Sequence, residues 1–495
     1  MTREDAIRAA GLALLDPQAP ALVRFPGLEQ RGHDARVFLA ARHDEVSRIL
    51  CDEAAFSLCH YDELLAQVAG PTRYLVGEDD AARQLRLRLL LAAQAEVDRA
   101  RGAADEGVPA NLAPGYRDFV AAIARDEATA ILDLLDCRKH TGEPINFVRE
   151  YAFLLAYRMA RRLVGIPAPD RAPGLVRLMM LARNLWCGLG RGGRWLPLDG
   201  ELGVASTALG LQHPLFGHVF GTVVASPALL QAASRSTASA GLQAIDRAWA
   251  MPGLAPRESL LRAMIATRPQ FADIPDHVLA VQARSVLFEL TGALVLVVGK
   301  ALADIAGLAV SARGHEAGID WDSLGDLLAD EQAGRSAHDA AINEMLRLAG
   351  GARLVRTVRA DMTWQGIALN AGDRIVGLIE VASLDPAAFP RPERFDPQPG
   401  RPWLTSGALD GPHACFGRAI AWTILREAIL AARHRIAPAP GAVLHSFAGL
   451  PDDLAFLPCD TRRDARRDPP APHRRAARRH AAHRRTDDGR IPMSH

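Results

Sequence analysis

The residues best placed to do chemistry lie in Asp410-Gly411-Pro412-His413-Ala414-Cys415-Phe416-Gly417, which follows an irregular stretch and opens a helix. A cysteine at the mouth of a helix meets backbone N–H groups and the positive end of the helix dipole, and both favour its thiolate. Gly411 and Gly417 leave the sulfur uncovered on one side and admit a flat group. That is the setting of a soft-metal ligand. A lone cysteine is more often a small core residue, and the other five take that reading. Cys51 and Cys137 fall on helical segments, while Cys59, Cys187 and Cys459 have no flanking glycines of this kind.

Such a cysteine needs a scaffold to position it, and the pattern along the chain is mostly helical. Ile145 to Val164 carries apolar residues at i, i+3, i+4 and i+7 and is closed by Gly165 and Pro167. Arg83 to Ala93, Phe119 to Leu135, His277 to Ile305 and His338 to Leu348 read as further helices, and Arg418 to His434 as the last. Near the N-terminus a strand, Arg36 to Ala41, precedes a helix, Asp44 to Cys51. From Arg353 to Asp373 the pattern turns strand-like, with Val355, Val358, Met362 and Ile367 set among polar residues. Asp385 to Gly411 is rich in Pro and Gly and holds little regular structure. The expected class is mainly α (α+β), one large helical domain with a smaller β-rich part over residues 1–460. Glu289 and Lys300 interrupt the most apolar helix, Ser285 to Ile305, leaving it short of the ~20 residues a bilayer span needs. It reads as a buried core helix, with no membrane span expected.

Composition narrows the classes further. The 495 residues include 58 Lys+Arg and 57 Asp+Glu, with 49% hydrophobic, close to folded averages, which excludes wholesale disorder. Thr461 to His495 holds eleven Arg and four Asp, so this tail carries +7 and residues 1–460 carry −6 of the net +1. An acidic body argues against a nucleic-acid groove. The tail lacks the apolar content to offset ordering entropy and reads as disordered, either plainly solvated or a basic anchor for an acidic partner. Six cysteines without a CxxC pair are too few for a disulfide scaffold, argue against structural zinc, and point to a reducing cytoplasm.

Several segments, taken in order, resemble the cytochromes P450. Gly411-Pro-His-Ala-Cys415-Phe-Gly417 is similar to their cysteine loop, Glu344-Met-Leu-Arg347 to the ExxR helix, and Pro392-Glu-Arg394-Phe395 to the PxRF segment. Arg356-Thr-Val-Arg-Ala-Asp361 resembles the strand bearing a propionate-binding arginine, and the likeness runs over roughly residues 30–460. The resemblance implies haem b with Cys415 as axial ligand of the iron. Arg356 and His413 are expected at the haem propionates. Gln84 and Arg88 match the helical pair that joins them, with Arg86 as a substitute. Glu344 and Arg347, one helical turn apart, share a face, and Arg394 is expected to complete a charge-assisted network that pins the stretch leading to the cysteine.

This chain departs from the family in two places. Ala408 and Leu409 stand where the family has Phe and Gly before the cysteine. On the central helix, aligning Gly292 with the family's glycine puts Leu294 and Val295 at the acid–alcohol positions, and neither relays a proton. Glu289 and Thr291, one turn earlier, are the candidate catalytic groups beside Gly292, brought into play by a register shift or bulge. Three readings stay open. The first is a monooxygenase acting on a small apolar organic substrate, with a ferredoxin and ferredoxin reductase as electron partners. The second is partner-independent peroxide or hydroperoxide chemistry, including rearrangement. The third is a weakly catalytic haem-binding accessory protein. Specificity is expected in the loop Ser57 to Arg83, in helices around Leu175 to Ala250, and on the aliphatic face Leu290 to Val298. Leu185 to Leu211 reads as a lid or a plain surface loop.

Overall fold

The computed structural model describes residues 3–29, 35–69, 81–100, 114–166, 239, 241–350, 353–398, 403–404, 413, 415–447 and 450–459. The principal helices follow the apolar stripes of the sequence: α1 Arg3–Ala13, α2 His43–Cys51, α3 Cys59–Ala69, α4 Ala81–Ala100, α5 Pro114–Leu135 and α6 Phe153–Val164. The central helix follows as α7 Asp276–Ala293 and α8 Gly299–Val310, then α9 Gly334–Ala349 and α10 Arg418–Ala432. Asp44 and Glu45 occupy the first turn of α2, where the helix dipole favours carboxylates. Gly165 ends α6 at φ 79°, and a Cβ there would lie 2.2 Å from Ser259, so the turn admits only glycine.

Two helices depart from the expected pattern in the same way. Ile145 to Val164 is not one α-helix: Ile145–Asn146 forms strand β4, and Phe147–Ala152 is wound as a π-helix before α6 begins. Asn146 caps it, its side chain accepting from the Arg149 N–H at 3.0 Å. The wider turn keeps Phe147 and Tyr151 together in the core, their rings 5.3 Å apart. The central helix likewise widens into a π-turn at Leu294–Val298, between α7 and α8. By length and composition residues 276–310 would cross a membrane, but 72% of the most apolar window is buried inside the protein. The loop expected at Ser57 to Arg83 holds helix α3.

The main sheet has the order β1-β2-β8-β5-β3, built from β1 Val23–Arg24, β2 Val37–Ala40, β3 Phe56–Ser57, β5 Arg353–Val358 and β8 Arg374–Leu378. Only the β2–β8 pair is parallel. Between β5 and β8 a hairpin of β6 Met362–Trp364 and β7 Ile367–Leu369 stands apart. Strands β9 Ile436–Pro438, β10 His445–Phe447, β11 Leu450–Asp453 and β12 Ala455–Pro458 follow α10; β12 lies between β4 and β9, and β10 pairs with β11. The larger core gathers α4 to α10 and β12, and smaller apolar clusters sit on the two faces of the main sheet. Helix and sheet are thus segregated, as the sequence implied. Leu185–Leu211, the tail after residue 460 and most of Leu175–Ala250 lie outside the described residues; 241–250 are helical.

Candidate functional site

Helix α9 sets up the approach to the cysteine. Glu344 and Arg347, one turn apart, are both almost fully buried, and Arg347 donates to both carboxylate oxygens, from Nη2 at 2.7 Å and from Nε at 2.9 Å. Its guanidinium also donates to the carbonyls of Ser383 (2.7 Å), Pro392 (2.6 Å) and Arg394 (3.0 Å), and lies over the Phe389 ring. Glu344 accepts in addition from the Asp396 N–H at 3.1 Å and the Trp403 indole N–H at 3.0 Å. The irregular stretch is therefore stapled through its main chain. Arg394 departs from expectation: it contributes its carbonyl, while its side chain is exposed and reaches the Glu316 carbonyl at 3.4 Å. Four donors already occupy the lone-pair directions of Glu344, and a second guanidinium would be set against the first. Trp403 takes the place given to Arg394, and sequence spacing alone offered no sign of it.

Cys415 stands three residues before α10. It keeps accessible surface, yet desolvation pushes its thiol pKa up. The Gly417 backbone N–H, the Arg418 charge and the Arg418 N–H pull the other way, and the Glu289 charge adds to the rise. A Cβ on Gly417 would meet none of the described residues within 4 Å. Arg418 Nη1 is buried without a hydrogen-bond partner among the described residues. Arg418 was missed in the sequence, although a cation in the first turn of a helix opposes the dipole and so signals a local purpose.

His413 and Arg356 converge on one short stretch at the end of α2. His413 Nε2 lies 2.5 Å from Glu53 Oε1, and Arg356 donates to the Leu50 carbonyl at 3.4 Å and to Val355 at 3.1 Å. Gln84 and Arg88, by contrast, stand at exposed positions of α4, Arg88 lying over the Phe271 ring. The buried cations of that helix are Arg83 and Arg86, and Arg86 donates to Gln282 of α7 at 3.0 Å. The side of α4 facing α7 is set by packing, and a motif match three residues away cannot foresee it. Gly411, Ala408 and Leu409 lie outside the described residues.

The central helix packs through its π-turn against α10, the helix that follows Cys415. From Val286 to Gly299 only Glu289, Leu290, Ala293 and Val297 keep accessible surface, Val297 as much as 44%. Leu294 and Val295 are buried, so the aliphatic face expected over Leu290–Val298 narrows to Leu290 and Val297. The Thr291 hydroxyl is buried beside Gly292 and donates to the Leu287 carbonyl at 2.7 Å. Glu289 is the titratable group of this stretch whose charge reaches Cys415.

An accessible, desolvated sulfur fed by two backbone N–H groups, a flanking glycine and the buried Arg418 nitrogen fit an iron porphyrin carried on Cys415. A cytochrome P450 family model matches residues 336–426, which take in ExxR and the cysteine loop. The fold is that of the bacillaene polyketide synthase cytochrome P450 PksS of Bacillus subtilis, with TM-score 0.61 at 15% identity over 92% of this chain and 98% of that one. The thaxtomin-hydroxylating P450 TxtC gives 0.57 at 18% identity over 88% and 95%. Two steroid C26-monooxygenases from Mycobacterium tuberculosis strains are 36% identical over 103 residues, or 20% of this chain, and the match spans about a quarter of their length (25% and 24%). Residues 336–426 thus match the cytochrome P450 family, and the chain shares the fold of that family's solved structures.

Proposed function

We propose that the protein is a haem-thiolate monooxygenase of a small apolar organic substrate, supplied with electrons by a separate ferredoxin and ferredoxin reductase in a reducing cytoplasm. One observation carries the reading: Cys415, an accessible sulfur at the mouth of α10, receives the backbone N–H groups of Gly417 and Arg418 and lies within reach of the Glu289 charge on the central helix. Haem, when bound, supplies dioxygen activation on a thiolate-ligated iron. The chain's own residues do the rest. Gly417 and Arg418 favour the thiolate that iron ligation would require, against the desolvation that raises the Cys415 pKa, Arg356 and His413 are the groups for the propionates, and Leu290 and Val297 give the substrate an apolar wall. Glu289 holds the proton that the reduction of dioxygen consumes. The Thr291 hydroxyl is committed to its own helix and takes no part.

Peroxide-driven turnover is the second reading, favoured by the buried Leu294 and Val295 at the positions where relatives relay protons. The test is a spectral titration of the full chain loaded with haem. The reduced, carbon monoxide-bound protein is expected to absorb where thiolate ligation places it, and Cys415→Ala to lose that band while Cys459→Ala keeps it. Product formed with NAD(P)H and a ferredoxin system supports the monooxygenase, and turnover with peroxide alone supports the second reading. Haem uptake with neither would sink both.

A further inference from the structure

The main sheet has a second chemically furnished place, on the opposite side of β5 from Arg356. Ser57, Thr357 and Arg374 are direct cross-strand partners on β3, β5 and β8, so their side chains form one row on one face. Arg359, two residues beyond Thr357, falls on that same face, and Arg356 on the other. Cys59 and Glu63 of α3 close the opening with Val358 and Gly372 around a cavity of about 380 Å³.

Its polar groups point to a ligand. Thr357 is 9% exposed, lines the cavity, and its Oγ1 has no hydrogen-bond partner among the described residues. A buried hydroxyl left so is costly unless something else binds it. The Ser57 hydroxyl, also buried, donates only to the weak acceptor Cys59 Sγ at 3.1 Å. Arg374 reaches the Glu63 carboxylate at 3.8 Å, a loose pair whose acid side chain is 61% exposed. Arg359 is steadied by its Nε donating to the Glu53 carbonyl at 2.7 Å. Two guanidinium groups against one exposed carboxylate, with two hydroxyls between them, make a concave set of donors for an oxyanion.

We propose that this cavity binds a small phosphate ester. The phosphoryl group sits between Arg359 and Arg374 and accepts from the Thr357 and Ser57 hydroxyls. The cavity exceeds a bare phosphate and falls in the range of small-ligand sites, and its Glu63 side suits a hydroxylated organic portion. The site is independent of haem, so it stands or falls separately from the monooxygenase reading.

The test is calorimetric titration of the full chain with glycerol phosphate, inorganic phosphate and glycerol in parallel. Glycerol phosphate is expected to bind saturably, more tightly than inorganic phosphate, with glycerol alone inert. Arg374→Ala should weaken it ~10-fold or more and Thr357→Val by about five-fold, each with an unchanged circular dichroism spectrum; Arg374→Lys gives a milder variant should the alanine unfold. Arg335→Ala, at an exposed pair on α9, should change nothing. No saturable binding, equal affinity for inorganic phosphate, or indifference to both Thr357→Val and Arg374→Lys would overturn the proposal.

Discussion

Four donors surround the Glu344 carboxylate, and the roles around it divide by what each side chain can reach. Trp403 brings its indole N–H to Glu344 Oε2, whereas the Arg394 guanidinium points outward to Glu316. Trp403→Phe is therefore expected to lower stability by ~1–3 kcal/mol, leaving a buried acceptor short of a donor. Arg394→Ala, which keeps the carbonyl that Arg347 uses, should change it by less than ~0.5 kcal/mol. Urea midpoints of the two variants check the contrast; a larger loss for Arg394→Ala would restore it to the network. On the distal side, Glu289→Gln should slow ferredoxin-driven turnover ~100-fold, the usual scale for a lost acid. Thr291→Val, at a hydroxyl already bound to Leu287, should keep near-normal turnover. The opposite ranking, measured as product per NAD(P)H oxidised, would move the proton to Thr291.

Elements of the main sheet are joined to one another through a single acid. Asp373, at the head of β8, accepts from the backbone N–H groups of Arg36 (3.1 Å) and Asn370 (2.7 Å) and pairs with the Arg36 side chain, tying β8 to the strand beside it. Burial alone would push its carboxyl up, but the Arg36 side chain and these N–H groups outweigh it and hold the pKa below the usual value. A carboxylate whose folded pKa is depressed adds stability that is complete above the unfolded value of about 3.9 and is lost as pH falls through the folded value. Asp373→Asn should cost ~1–3 kcal/mol at pH 7, and its deficit against wild type should shrink below about pH 4. A deficit that stays constant down to pH 2 would refute this account. The same scale explains the two π-turns. Apolar periodicity foretold unbroken helices at Ile145 to Val164 and His277 to Ile305, but one extra residue in a turn leaves the composition unchanged while it rotates every later side chain.

At the scale of the whole molecule, the chain's late strands close its early helices. Phe456 of β12 stacks on Phe147 with centroids 4.4 Å apart and meets Trp321 edge-on, all three buried. Tyr151 meanwhile donates to the Ala428 carbonyl of α10, the helix that Cys415 introduces, at 2.6 Å. Phe456→Ala is expected to cost ~3–5 kcal/mol and to lower the haem content of purified protein, because the cavity opens beside elements that carry the cysteine helix. An unchanged melting temperature would contradict it. The sequence by itself determined the helical class with its smaller sheet, the cysteine at a helix mouth and the Glu344–Arg347 pair, because those depend on spacing along a few turns. Only the tertiary structure decided that Arg83 and Arg86 rather than Gln84 and Arg88 are buried, that Trp403 and not Arg394 completes the network, and that Leu294 and Val295 turn inward. Each depends on which distant surface packs against a helix, and residues far apart in sequence supply that surface.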